Sequence, residues 1–428
     1  MFRQHPRGLP VIFFTEMWER FGFYTLMAVL VLYMEKEFGW DDARKGNVYG
    51  VFLGLVYFIP VLGGAIGDRL LGRRRTVLAG AVCMVAGFAS LTFSSADRVP
   101  FFLAGLLMIA FGTGILKVNM AVLVGTLYRD NEALRDAGYN IYYMGVNLGA
   151  AVAPLAATVI HNMFNSYTLS FAAAGGGMLV AIATFLLGRR SLDAADIREG
   201  ARPSGNPQGA PESDRADDRQ RLLTLGILFT IVIFFWIAFY QNGFALTLFA
   251  DRSTVRSDIL KPETYQFFNP FFIVVLTPLL LRFFTLARAR GKEPSSASKI
   301  GLGMFVSGFS MLVMLFASLA GGDRDVPVMS PLWLVSSYFV ITVAEILVSP
   351  MGQSFVSRVA PPRLRGLMMG CWFAATAAGS YSSGFFGRFY SSLPHHLYFL
   401  ALAAALLFAS GLVFLSMKQL NKFTSRPG

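Results

Sequence analysis

The stretch TEMWERFGFYTL, Thr15 to Leu26, places Glu16, Glu19 and Arg20 within five positions of an otherwise apolar run. An ionisable side chain at mid-membrane costs about 3 kcal/mol on insertion scales, so it persists where it faces a bundle interior or a watery cavity. On a helix advancing about 100° per residue, Glu16, Glu19, Arg20, Phe23 and Tyr24 share one face, whereas Trp18, Phe21 and Gly22 fall elsewhere. That stripe runs over about 12 Å of helix at 1.5 Å per residue. Lipid would forbid it, so it should face the interior. Glu16 and Arg20 also form an i, i+4 pair.

The rest of the chain makes this run a membrane span. Of 428 residues, 55% are hydrophobic and 14% charged, and the mean hydropathy is +0.55. Soluble domains of this length do not have that composition. The apolar residues fall into twelve blocks of about twenty residues, the length that crosses a bilayer. The first six start near Pro10, Asn47, Thr76, Pro100, Ala137 and Ser170; the second six near Leu222, Tyr265, Lys299, Pro331, Gly366 and Leu397. No small-residue cleavage site follows the first block, which is therefore expected to stay as a span. Between the sets lies RRSLDAADIREGARPSGNPQGAPESDRADDRQR, Arg189 to Arg221, rich in Arg, Asp, Pro and Gly and without an apolar run. It reads as a flexible linker. The expected layout is an all-α integral membrane protein: an N-terminal six-helix bundle over 1–188, a linker over 189–221 and a C-terminal six-helix bundle over 222–428. Transporters built from two such halves enclose a central cavity and open it alternately to each side.

The formal net charge is +12. The basic residues cluster in alternate loops: Arg3 and Arg7, Arg73 to Arg75, Arg129 and Arg135, Arg189 and Arg190, Arg282 to Lys292, Arg358 to Arg365, and Lys418 with Lys422. This asymmetry argues against a nucleic-acid surface and places both termini in the cytoplasm, where anionic membrane lipid also favours these loops. Cys83 and Cys371 lie in apolar runs and read as small buried hydrophobes without a disulfide. None of the four histidines has metal-ligand spacing, and His395 and His396, after Pro394, read as loop residues. No metal and no cofactor are expected. The Gly- and Ala-dense runs GLVYFIPVLGGAIG, GVNLGAAVAPLAA and AATAAGSYSSG suit close helix packing.

Two further ionisable residues sit inside apolar blocks: Lys117 in GTGILKVNM and Glu345 in VAEILVSP. Three carboxylates thus face two cations, a surplus that is costly at low dielectric unless one carboxyl holds a proton part of the time. Such a set suits a proton-coupled carrier. It equally suits a fixed ion-pair network that locks helices together. A charged string, GGAIGDRLLGRRRT from Gly63 to Thr76, ends the second block. Asp68, Arg69 and Arg73 there read either as a positive-inside anchor or as a gating contact released as the halves rock.

These motifs carry a family resemblance. GDRLLGRRRT resembles the signature loop of the major facilitator superfamily, and EMWERFGFY resembles the ExxERFxYY motif of the proton-dependent oligopeptide transporters. YNIYYMGVNLGA (Tyr139 to Ala150), GTGILKVNM, FFWIAFYQNG, QFFNPFFIVVLTPLL and EILVSPMGQSFVSRVAPPRLRGLMMGCWF are similar to that family's spans 5, 4, 7, 8 and 10–11. The series covers both halves and implies the major facilitator fold. It implies a proton-coupled symporter of di- and tripeptides in the cytoplasmic (inner) membrane, expected to be monomeric. Arg20 and Lys117 would hold the peptide carboxylate, and Glu345, helped by Asn147 and Asn269, its ammonium. Tyr24 and Tyr57 would line the pocket, Trp372 would close a side-chain pocket, and Glu16 and Glu19 would carry or relay the proton with Arg20 as counter-charge.

The chain departs from the pattern at four places. Phe23 replaces a tyrosine, and Val118 follows Lys117 where proline is usual. Tyr240 stands where many members have a glutamate, and no extra helices join the halves. A phenol titrating near 10 does not replace a carboxylate as a proton carrier near neutrality, so coupling would rest on the first span, be weaker, or be absent. The alternative is a facilitator-superfamily transporter of a drug, amino acid or other small metabolite with weak or absent coupling. An enzyme is disfavoured, since neither HExxH nor GxSxG occurs; a receptor on the same scaffold would bind substrate without moving it.

Overall fold

The computed structural model describes residues 4–129, 134–195, 215–361 and 364–422. Among them are twelve helices of membrane-crossing length. The first six are α1 (Gly8–Phe38), α2 (Asp42–Ala65), α3 (Arg73–Thr92), α4 (Val99–Leu127), α5 (Arg135–Phe164) and α6 (Thr168–Leu187). The second six are α7 (Arg215–Phe239), α9 (Phe268–Ala289), α10 (Ser296–Ala320), α11 (Pro331–Val359), α12 (Arg365–Gly387) and α13 (His395–Leu415). Two short helices, α8 (Ala245–Arg252) and α14 (Met417–Lys422), follow α7 and α13. Ten of the long helices are apolar enough to cross a membrane by composition alone. The other two, α1 and α12, have the length, 31 and 23 residues, but α1 carries the Glu16, Glu19 and Arg20 set.

Local chemistry sets the helix ends. Gly39 adopts φ 61°, a left-handed conformation that costs glycine little, and its N–H closes the last turn of α1 on the carbonyl of Glu35. Two residues later Asp41 caps α2 by accepting from the N–H of Arg44 at 2.8 Å. Ser295 and Ser330 cap α10 and α11 in the same way, the latter with Pro331 in the first turn.

Three sequence expectations are corrected. Helix α7 begins at Arg215, so the final residues of the expected linker are helical; the charged Arg215–Arg221 segment continues the helix beyond the apolar boundary. Residues 196–214 lie outside the described set. His395 and His396 open α13 rather than lying in a loop, and His395 is buried against Tyr390, ring to ring at 4.5 Å. Cys83 and Cys371 are free, as expected, but only half-buried.

Because consecutive long helices alternate in direction, the described chain starts and finishes at one end of the molecule, the terminal end, and the turn at 39–41 marks the opposite, distal end. Helix α1 is the centre of the first bundle and packs on α5, α6 and α4. From Leu26 to Met34 none of its residues is more than 5% exposed, so lipid touches no part of that segment. In the second bundle α10 packs on α11 and α13, and α7 on α12 and α13.

The bundles meet along two distal seams, α2 against α12 and α5 against the 3-10 turn Pro262–Phe267. Glycine makes the first possible. A Cβ on Gly384 would lie 2.2 Å from the carbonyl oxygen of Gly46, and one on Gly50 would lie 2.5 Å from that of Tyr381. The backbones therefore touch directly, as small residues allow in membranes.

Candidate functional site

A cavity of about 330 Å³ lies between the bundles. Arg20, Tyr24, Tyr57, Lys117 and Asn147 reach it from the first six helices; Asn269, Glu345 and Trp372 reach it from the second six. Every residue that the sequence nominated for substrate contact therefore lines one hollow. Its cations come from α1 and α4, beside the Glu16 carboxyl of α1, and a second carboxyl, Glu345, faces them from α11.

The α1 stripe is built as helical spacing predicts, with one exception. Glu16, Arg20, Phe23, Tyr24 and then Met27 face the cavity. Glu19 turns aside. It accepts from Arg20 Nε and from Arg20 Nη2, the latter at 2.6 Å, and also accepts from the Thr113 hydroxyl on α4. Arg20 Nη2 lies 3.0 Å from the same hydroxyl oxygen. This two-pronged pair fixes the guanidinium plane. Glu16 is the looser partner: Arg20 Nε stands 3.5 Å from Oε1, and neither Glu16 oxygen accepts a hydrogen bond among the described residues. The i, i+4 pair thus forms, but the adjacent Glu19 holds the base more tightly.

Lys117 points its ammonium at the Tyr57 ring, 5.5 Å from the centroid, and has no ion pair among the described residues. Glu345 has none either. Asn269 holds it by donating to Oε2 at 2.8 Å, and the Asn269 amide nitrogen also lies 3.0 Å from Thr342 Oγ1. The unpaired charges are thus one ammonium on the first bundle and one carboxylate on the second. A ligand with its own positive and negative ends would complete both.

Aromatic walls shape the space between them. Tyr57 lies 5.4 Å from Tyr240, which stacks on Trp236 at 5.6 Å. Trp372 is 1% exposed and packs against α11, where a Cβ on Gly352 would fall 2.0 Å from its ring. Sequence reading did not nominate Tyr142, Tyr143, Trp236, Gln266 or Gln353, which also line the cavity. Tyr142 and Tyr143 stand within the quoted YNIYYMGVNLGA run, the only signal that pointed to them.

The cavity's two ends differ. Toward the terminal end it continues into a second space of about 510 Å³ that shares Tyr143, Ile273, Glu345, Ser349 and Gln353 and reaches Arg288, Glu293 and Lys299. At that mouth, hydrogen bonds from Arg288 and Lys299 hold the Glu293 carboxyl down at about 2.

Toward the distal end the bundles are clamped. Arg252 of α8 binds Glu35 of α1 at 2.9 Å and Asp42 of α2 at 3.1 Å, and donates to Ser391 at 2.7 Å. Lys45 pairs with the same two acids, at 2.7 Å to Asp42. Two acids thus meet two bases, with a third acid, Asp325, at the edge 3.9 Å from Arg252. None of these was nominated from sequence, because charges at helix ends read as anchors. Of the nominated gating residues, the side chains of Asp68 and Arg69 lie outside the described set. Their backbone forms the π-helical turn Ile66–Leu71, and Arg73 donates to Thr126 on α4 at 3.4 Å.

Known proteins share this architecture. A family model described as the POT family matches residues 74–203 and 207–425. The chain is 29% identical over 451 residues to a Yersinia enterocolitica protein named peptide transporter YePEPT, covering 90% of this chain and 88% of that one. It is 30% identical over 444 residues to the di-/tripeptide transporter of Lactococcus lactis, covering 86% of each. A crystal structure of a peptide transporter POT in complex with sulfate is similar at 27% identity and a TM-score of 0.90, covering 99% of this chain and 96% of that one. The chain belongs to the POT family of membrane transporters.

Proposed function

We propose that the protein is a proton-coupled symporter that imports di- and tripeptides across the cytoplasmic membrane by alternating access. One observation carries this reading: a single cavity takes its cations from one bundle and, from the other, a carboxylate with no ion pair among the described residues. A zwitterionic peptide needs that arrangement. Its carboxylate meets Lys117 and Arg20, and its ammonium meets Glu345, with Asn147 and Asn269 beside the backbone. Because the ligand touches both bundles, its binding favours the state in which they close around it. Contacts to the ends and backbone, which every short peptide has, give breadth of substrate.

Glu16 is the proton carrier in this scheme. It faces the cavity, and neither of its oxygens accepts a hydrogen bond among the described residues, so a proton there displaces only the 3.5 Å contact with Arg20. Glu19 is held by Arg20 and Thr113 and acts as the relay that keeps Arg20 in place. A proton on Glu16 leaves Arg20 freer to receive the peptide carboxylate, which links the two cargoes.

The basic loops support placing the terminal end, with both termini and the segment that joins α6 to α7, in the cytoplasm. The described conformation is then open inward and sealed outward. The Asp68 to Arg73 turn would form the opposing gate when the distal end opens. Action as a monomer in membrane lipid completes this reading.

A second reading has a specific observation in its favour. Tyr240 and Phe23 both line the cavity, where the family resemblance leads one to expect a glutamate and a tyrosine. This suits transport of another small metabolite with weak coupling. Dipeptide uptake into proteoliposomes, with and without an inward proton gradient, separates the two. Gradient-stimulated accumulation supports symport of peptides; no dipeptide uptake under either condition refutes it.

A further inference from the structure

The distal seam between α5 and the Pro262–Phe267 turn contains a titratable pair that the scheme above does not use. His161, in the last turn of α5, meets Glu263 at 2.6 Å from Nδ1 to Oε1. His161 is 8% exposed and Glu263 is not exposed at all, and Glu263 Oε2 has no hydrogen-bond partner among the described residues. The two residues belong to different bundles and are 102 positions apart. Neighbouring bonds cross the same seam: Thr158 to Thr264 at 2.6 Å, and Asn162 to the carbonyl of Asp258 at 2.8 Å. Opening the distal end must break this set together.

We propose that His161 and Glu263 form a proton-binding site, separate from the α1 stripe, that is occupied when the distal seam is closed and emptied when it opens. The inference rests on the alternating-access reading. A fully buried carboxylate needs either a counter-charge or a proton, and an imidazole in contact supplies either one only if the pair holds a proton.

The other charged groups nearby are engaged elsewhere or face solvent. Lys36 of α1 donates to Tyr167 at 3.0 Å and stands 3.4 Å from Asp251 of α8. Tyr167 packs on the His161 ring at 4.5 Å. Asp258, Lys261 and Arg256 of the connecting loop line a cavity of about 520 Å³ beside the pair, together with Lys36 and Asp251. Lys36 has Asp251 as its partner, and among the described residues no base but His161 stands within ion-pair distance of Glu263, so none replaces the proton. Separated and wetted, an imidazole releases its proton within the physiological range. Closing the seam therefore takes up a proton from the distal side. Acid on that side drives the molecule toward the conformation described here.

The test follows the seam directly. Spin labels are placed at Asp97→Cys and Val326→Cys, exposed distal positions on different bundles, with Cys83→Ser and Cys371→Ser removing the native thiols. Distances are measured in the full-length protein in lipid nanodiscs between pH 5 and 8. In the parent, the logarithm of the closed-to-open ratio should fall with rising pH, and the linked proton contributes a slope of up to about one per pH unit. His161→Gln and Glu263→Gln, each close in size to the native side chain, should both remove that contribution. A parent ratio that ignores pH overturns the proposal, as does a slope unchanged in both variants. Should one variant not reconstitute, the other and the parent slope decide. Dipeptide uptake is recorded in parallel. Its absence in the parent counts against peptide symport, whereas uptake with an unaltered pH slope in the variants counts against this site alone.

Discussion

Gly384→Ala tests the idea that the distal seal depends on bare backbone contact. The added Cβ would lie 2.2 Å from the Gly46 carbonyl oxygen, 2.4 Å from the Gly50 nitrogen and 2.5 Å from its Cα. These are backbone atoms, so no flexible side chain can yield. Helices α2 and α12 must part by roughly 1 Å to restore contact, and overpacking of this kind costs about 1–3 kcal/mol. The cost falls on the closed seam alone, because the contact does not exist once the distal end opens. The closed-to-open ratio should therefore drop by roughly 5- to 150-fold, read as a shift of the distal spin-label distances toward the longer population. Gly411→Ala on α13, where an added Cβ meets nothing within 4 Å, is the control and should leave the ratio unchanged. If Gly384→Ala also leaves it unchanged, the α2–α12 contact is not part of the seal and the reasoning fails.

Other outcomes follow from the same geometry. Glu16→Gln should abolish gradient-driven dipeptide accumulation while sparing counterflow; Glu19→Gln should do the same and also weaken peptide binding, since it loosens Arg20. Unchanged accumulation in both variants would remove α1 from the coupling scheme. Arg252→Met leaves Glu35 and Asp42 with Lys45 alone, a loss of about 1–2 kcal/mol for this largely buried network, so the distal-open population should rise roughly 5- to 30-fold by the same distance measurement. At the terminal mouth, the contribution of Glu293 is present above its ordinary carboxylate range and is lost only as the pH falls through about 2. Glu293→Gln should therefore leave the shape of the transport profile between pH 5 and 8 unaltered, and a changed profile would show that this carboxylate titrates during transport.

Much of the fold was legible because the bilayer imposes one rule on every block: about twenty apolar residues per crossing. The rule failed where a helix outruns its apolar part, as at Arg215–Arg221 in α7. The α1 stripe was legible because three ionisable groups in a membrane span need a common inward face. Glu19 departed from it because two nearer partners, Arg20 and the Thr113 hydroxyl, outcompete the cavity. The distal clamp and the His161–Glu263 pair were illegible. Arg252 and Glu35 are 217 positions apart, and nothing local distinguishes a residue that binds the opposite bundle from one that anchors a helix end in water.

The account turns on Glu345 as the negative pole for a peptide ammonium, and a two-by-two binding cycle addresses that contact most directly. A dipeptide and its analogue lacking the amino group are titrated against the parent and against Glu345→Gln. A charge-assisted contact of about 1.5–3 kcal/mol predicts that the parent prefers the dipeptide by roughly 10- to 150-fold. The variant should bind both ligands about equally. An undiminished preference for the dipeptide in Glu345→Gln would contradict the account, because the ammonium would then be held by something else.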